Sequence, residues 1–458
     1  MTHVRHPSPR LSLSSSSSTG VPSRTVRMVG LLAAALLSQV GCTEDQAPES
    51  VDDFDPTTVE DGALLDEAAQ PSLASPELEA AVPAAACTVT VTPASQLMIT
   101  NLAVVNDAVR TKWTGALTSA SDGAWHFGRL MTQMAGANDP TTFVRSWLAQ
   151  WETNVTVNGR VVPARPTIGS QVLASWPKTA AGKLDLTKAP MRLLAIVNRF
   201  DLRSAGNAGE GRFIFGVLGP AGATLPFTVI LEYKMPAATA AEVTAWAHLW
   251  RDLAASGAVG TAAYRAKLQA ITDKFAKRDA APGRINGSAI SQVRTNENAL
   301  NPIWELREFH LTTTGQLRMS PLALTPDNTL NFTATLATFM TQNAAAIKAQ
   351  THTVPATFNS QPFAGGRVTN SIDSWGAPGI TDSLLRHRFS LNTCNGCHGR
   401  ETLTSFLQVS PRVATQASAL SVFLTGITVP DPITGVNRTF NELAKRANIL
   451  KTFLCANP

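Results

Sequence analysis

Three short runs constrain the fold most: residues 191–197 (MRLLAIV), 211–218 (GRFIFGVL) and 226–233 (PFTVILEY). Each is too short for a stable helix, nearly continuous in apolar residues and rich in β-branched or aromatic types, with turn-forming residues between the runs. They read as strands buried on both faces. Helical patterns follow over 240–255 and 261–277, and two more strands are expected over 292–295 and 304–312. Upstream, a short strand is expected at 88–92 and helices at 96–109, 125–135 and 142–152. The last of these carries Trp147 and Trp151, four apart, as a core pair. Asn158-Gly159 marks a hairpin between 155–157 and 160–162. Strands and helices do not alternate regularly, so the expectation is an α+β main domain over 86–350. Residues 331–350 look helical, and the Pro- and Gly-containing stretch 351–379 reads as a connection to a last module, 380–458.

The N-terminal end has a different character. Arg24 and Arg27 precede an apolar run, 29–37, too short to span a bilayer comfortably, which gives 1–41 the pattern of an export signal. Ser38-Gln39-Val40-Gly41-Cys42 resembles the lipobox of bacterial lipoproteins, with Gln39 where an aliphatic residue is usual. That resemblance implies lipidation of Cys42, a membrane anchor and a place at the bacterial envelope, in the periplasm or at the outer membrane. Residues 42–85 are acidic, hold no Lys or Arg and read as a disordered linker. The formal charge of +5 falls to +1 once the four arginines of 1–41 are set aside, so charge gives no support to nucleic-acid binding.

Polar residues crowd the strand ends of the main domain: Asn198, Arg199, Asp201, Arg203, Glu210, Arg212, Glu232, Glu297, Glu305, Arg307, Glu308 and His310. They fit structural ion pairs on neighbouring strands, or else a cleft for an anionic or sugar-like ligand with acid–base chemistry. No dinucleotide or P-loop glycine motif, H-E-x-x-H, G-x-S-x-G or EF-hand loop occurs, which removes several common enzyme classes.

The last module holds Cys394-Asn395-Gly396-Cys397-His398. Five Cys and eight His in 458 residues would place Cys-x-x-Cys-His by chance about 0.001 times, so the spacing carries information. Thr381-Asp382 is suited to cap a helix leading into it, and further helices are expected near 415–424 and 440–454. Over about 380–455 this module resembles the c-type cytochromes, whose attachment motif has this spacing. The resemblance implies a small, mostly helical cytochrome-c-like domain with covalent haem c, Cys394 and Cys397 as thioether anchors, His398 as proximal iron ligand, and electron transfer with a redox partner protein.

The usual distal Met or His lies after the motif, whereas neither residue follows His398. Met319, Met340, His352 and His310 remain as sixth-ligand candidates, and His387 is too close on the incoming helix. Otherwise the iron is five-coordinate, as in a peroxidase-like enzyme. A binding or scaffold lipoprotein in which Cys394 and Cys397 form a disulfide or hold another metal is the alternative. With Cys42 lipidated and Cys394 and Cys397 on haem, Cys87 and Cys455 are left to pair in an oxidising compartment; without haem, two disulfides satisfy the same count. The whole layout resembles bacterial lipoproteins with a C-terminal haem-attachment module.

Overall fold

A computed structural model describes residues 87–458; the export signal, Cys42 and the acidic linker lie outside the described residues. Its centre is an eight-stranded antiparallel sheet of β1 (Met98–Ile99), β2 (Met191–Arg199), β3 (Asn207–Leu218), β4 (Thr224–Pro236), β5 (Ile290–Glu297), β6 (Glu305–Leu311), β7 (Leu317–Met319) and β8 (Val368–Thr369). The order is β1-β2-β3-β4-β5-β6-β8, with β7 also paired to β6. The expected α+β class is what the chain adopts, and the three apolar runs form the adjacent strands β2, β3 and β4.

The two faces of the sheet differ. Across one face the register places Ile196, Phe213, Leu231, Val293 and Phe309 in a row. Helices α1 (Phe127–Met134), α2 (Pro140–Ala149), α3 (Ala240–Ala255) and α4 (Ala262–Ala276) supply the large apolar side chains of the core that holds this row, including Phe127, Trp147, Trp250 and Phe275. Asp139, Thr239 and Thr261 cap α2, α3 and α4, and Glu242 closes a capping box on α3. Trp147 and Trp151 are fully buried with ring centroids 5.6 Å apart, and both also meet Phe309. Each such indole removes roughly 150–250 Å² from water, an upper estimate of about 4–6 kcal/mol.

The opposite face is mixed. One row runs Met98, Val197, Arg212, Glu232, Gln292. The next runs Ala195, Ile214, Ile230, Arg294, Glu308, and the third Gly216, Thr228, Asn296, Leu306, Val368. Residues Leu391, Val409, Phe423, Leu424, Val429, Phe440 and Leu443 of the C-terminal part pack on this face. That part comprises α5 (Ala334–Gln342), α6 (Ala344–Ala349), α7 (Ser383–Asn392), the single turn Cys394–Cys397, a turn at Val422–Thr425, a hairpin of Ile427–Pro430 with Asn437–Phe440, and α8 (Glu442–Ala456), with α5 and α6 in an apolar cluster of their own with Leu385 and Phe389 of α7. Coverage of both faces explains why the strands read as nearly continuous apolar runs.

The C-terminal region is helical at α7 and α8 but holds that hairpin, and the helix expected near 415–424 is only the turn at its end. Residues 88–92 alternate without pairing, because Val89 and Val91 lie against the core while their neighbours face solvent. The helix expected over 96–109 is broken into β1 and a turn at Leu102–Val105, restarted where the Asn101 side chain accepts from Ala103 N. Cys87 and Cys455 are joined by a disulfide, which fastens the start of the described chain to α8. Among the described residues no helix is long and apolar enough to cross a membrane.

Candidate functional site

The Asp382 carboxylate accepts from Leu384 N and Leu385 N and so starts α7. That helix ends at Thr393, whose hydroxyl accepts from Gly396 N and opens the motif turn. Both intervening positions of Cys-x-x-Cys are fixed by packing. Asn395 is fully buried; its Oδ1 accepts from Trp375 Nε1 at 2.7 Å and its Nδ2 donates to Ile372 O at 3.1 Å. A Cβ on Gly396 would stand 1.9 Å from Ser390 O, so only glycine fits. Thr325 Oγ1 accepts from Cys394 N, while Gln408 Nε2 and Thr402 Oγ1 donate to Cys397 O.

His398 is held by its loop. Its Nδ1 stands 2.7 Å from Phe406 O, and Phe406 N donates back to His398 O. A carbonyl only accepts, so Nδ1 carries the proton and the lone pair lies on Nε2, the tautomer a metal-binding imidazole needs. Burial lowers the pKa of His398 to about 4, which keeps the ring neutral. The ring stacks on Trp304 at 5.7 Å, and Trp304 stacks in turn on Phe406 at 5.3 Å. Leu403 and Phe406 both have positive φ, 52° and 63°. Such backbone strain, about 1–3 kcal/mol per residue, persists only where the surroundings over-determine it.

Cys394, Cys397 and His398 all line one cavity, whose other wall is the mixed face of the sheet. Its volume of about 170 Å³ corresponds to roughly 11–17 water positions, or ~340–510 Å³ of liquid, within the range of small-molecule sites. The charged lining consists of Arg199, Arg212, Arg294, Lys445 and Arg446 against Asp201, Glu232 and Glu442, and Glu210 and Glu308, paired with Arg212 and Arg294, bring this network to formal neutrality. Cys394 and Cys397 stand outside any disulfide. Burial, and then Glu442, push the Cys397 thiol up to about 12, so the free thiol is neutral. Two thiols and one neutral imidazole with Nε2 unbound in one cavity are the side chains that a covalently attached haem would use.

The strand-end polar residues form ion-pair networks on opposite faces of the sheet. On the cavity side Arg199 pairs with Asp201, Arg446 reaches both Asp201 and Glu442, Arg212 joins Glu210 to Glu232, and Arg294 joins Glu232 to Glu308. His310 Nε2 meets Glu308 Oε1 at 2.8 Å. On the core side Arg165 pairs with Glu297 and Glu305, and Arg307 pairs with Glu305 while lying over Trp151. Asn198 spends its amide on Gln96 O and Phe200 N, and Arg203 lies over Phe200 and Phe453.

Behind the motif His387, Glu401 and Asp431 come within metal-binding distance of one another. Their carboxylates are already engaged: Arg386 is bidentate to Glu401 and also pairs with Asp431, Arg438 adds a second cation, and His387 Nδ1 lies 2.5 Å from Glu401 Oε1. The cluster therefore braces α7 against the loop after the motif and the C-terminal hairpin.

The four proposed distal ligands are elsewhere. Met319 faces the main core opposite Phe309, Met340 lies in a separate apolar cluster, His352 meets Phe389 with its ring tilted by 36°, and His310 is tied to Glu308; none lines the cavity. Sequence reasoning missed Trp304, Phe406, Thr325 and Asn395, which no local pattern marks. Arg294 lies in a strand that is mostly polar, Ile290–Glu297, where one more charge gives no signal. No known protein family matches the chain, and no match is found among curated proteins or solved structures.

Proposed function

We propose that this chain is an exported lipoprotein that carries covalent haem c in the cavity between the C-terminal region and the sheet, and that it exchanges electrons with a redox partner protein. The observation that carries the reading is the state of His398. Its Nδ1–H is spent on Phe406 O and its Nε2 is left without a protein partner, in a cavity that also takes Cys394 and Cys397. Haem iron, when bound, supplies reversible one-electron oxidation and reduction.

The chain's own residues do the rest. Cys394 and Cys397 provide the thiols for thioether attachment, and Thr325, Gln408 and Thr402 fix the backbone that carries them. Arg199, Arg212, Arg294, Lys445 and Arg446 are held in place along the cavity by carboxylates of the chain. The Cys87–Cys455 bond fits the oxidising compartment that export implies. Lipidation of Cys42 would anchor the protein at the envelope, with residues 42–85 as the spacer.

Expression of the full chain with a haem-maturation system, then denaturing electrophoresis and haem staining, tests this. Wild type should stain, and C394A and C397A should each lose most of the signal. Wild type free of covalent haem would refute the reading and leave the motif as a structural element of a binding or scaffold lipoprotein. Retention of C42S in the membrane fraction would separately refute the anchor.

A further inference from the structure

We propose that a groove between α7, the hairpin strand Asn437–Phe440 and the start of α8 binds a small organic anion through its carboxylate or phosphate group. The site is distinct from the motif cavity and does not depend on the haem reading.

Helical spacing builds two of its walls. Leu384 and Arg388 lie one turn apart on α7, and Glu442 and Lys445 lie three apart at the start of α8. Arg438, on the hairpin strand between them in the chain, completes the charged lining. The volume of about 340 Å³ corresponds to roughly 23–34 water positions, which admits an anion with a body larger than phosphate itself. Glu442 and Lys445 also line the motif cavity, so groove and cavity share a wall.

One cation here is left unbalanced. Arg386 has Glu401, Arg438 has Asp431 and Lys445 has Glu442. The Arg388 carbonyl accepts from Asn392 Nδ2, but its guanidinium has neither a carboxylate nor a hydrogen-bond acceptor among the described residues. Burial, and then the nearby Arg438, lower its pKa, so both disfavour the charge that an arginine nonetheless keeps. A second unmet donor stands beside it. Arg438 donates from Nη2 to Ser383 O at 3.1 Å, yet its Nε–H is buried without an acceptor. Buried donors are rarely left so. An oxyanion meets both needs, because a guanidinium presents parallel N–H groups in the geometry that carboxylate and phosphate oxygens accept. The positive end of the α8 dipole adds to the attraction, and Leu384 and Phe440 offer apolar contact to the rest of the molecule.

The test is calorimetric titration of the full chain with citrate and with inorganic phosphate, at constant ionic strength set by chloride. Both should bind at a single site, and citrate should raise the melting temperature. Arg388→Gln should weaken binding roughly tenfold or more, the worth of hydrogen bonds to a charged group. Arg388→Lys should weaken it less, and Arg278→Gln, at an exposed position, should leave it unchanged. Without ligand, Arg388→Gln should melt no lower than wild type, since it breaks no ion pair. No binding by wild type, or equal affinity in Arg388→Gln, would overturn the site. A lower melting temperature for ligand-free Arg388→Gln would make Arg388 a structural residue and also overturn it. Arg388-dependent sedimentation with phosphatidylglycerol vesicles, with no binding of citrate or phosphate, would place the anion on a lipid and overturn the small-molecule reading.

Discussion

Replacing Arg386 by Met should destabilise the protein by about 3–5 kcal/mol, the usual cost of removing one partner from a buried charge pair. Its side chain is 3% exposed and those of Glu401 and Asp431 are fully buried. Arg386 donates to Glu401 through both terminal nitrogens, at 3.0 and 2.6 Å, and also to Trp375 O at 3.0 Å. Without the guanidinium, Glu401 keeps His387 and Asp431 keeps Arg438, so two carboxylates face one remaining arginine in a site closed to water. Unfolding entropy of ~2.1 cal/mol/K per residue over 87–458 amounts to ~0.8 kcal/mol/K, so the melting temperature should drop by about 4–6 °C. Urea denaturation followed by far-UV circular dichroism gives the free energy independently. Adding Glu401→Gln should recover part of the loss by removing one unpaired charge. A loss below about 1 kcal/mol, or no recovery in the double variant, would refute the view that this cluster is a closed ion-pair brace.

Other outcomes are equally checkable. The Cys87–Cys455 bond spans 368 positions; loop entropy alone gives about 6 kcal/mol, strain and residual structure reduce that, and C87S/C455S should lose roughly 2–5 kcal/mol in urea titrations. Burial alone would raise the pKa of Asp431, but Thr434 N, Arg386 and Ile433 N hold it at about 2 against an ordinary 3.8. Because the folded pKa is the lower one, about 2 kcal/mol of stability is present above pH ~4 and is lost as pH falls towards 2. Asp431→Asn should flatten that limb of the stability–pH curve. Gly396→Ala should displace the motif turn and sharply reduce haem staining while circular dichroism shows the sheet retained; undiminished staining would mean that the close approach to Ser390 O does not set the turn.

The strands and capped helices were legible because each is encoded locally. The runs at β2–β4 are apolar enough to be strands in any context, and Thr239 with Glu242 starts α3 whatever packs on it. Asn158 and Gly159 both take positive φ, as their hairpin requires. The motif was legible for its spacing alone. Its surroundings were not, because they converge from remote parts of the chain: Trp304 comes from just before β6, Thr325 and Asn328 from the segment after β7, Trp375 from the connection and Phe406 from the loop beyond. Each meets the motif only once the chain is folded. The strand-end charges could be recognised as a set, but their division between two faces depends on the register, and the runs do not reveal it.

Dependence on the sheet also determines what residues 380–458 can do alone. Their apolar side chains Leu391, Val409, Phe423, Leu424, Val429, Phe440 and Leu443 form one cluster with Met98, Leu194, Ala195, Val197 and Ile214, while Leu450 and Leu454 enter the main core. Excised, the fragment would expose these surfaces and lose the wall of the cavity that carries Arg199, Arg212 and Arg294. It would also lose Trp304 from beneath His398 and the disulfide partner of Cys455. A chain of this size has little surplus core with which to absorb such losses. The fragment 380–458 is therefore expected to be unfolded by circular dichroism and quickly cleaved by protease, whereas 87–458 should be cooperative and resistant. A fragment that folds, and that stains for haem as strongly as the full chain, would show that the motif needs only its own segment and that the sheet is a separate neighbour.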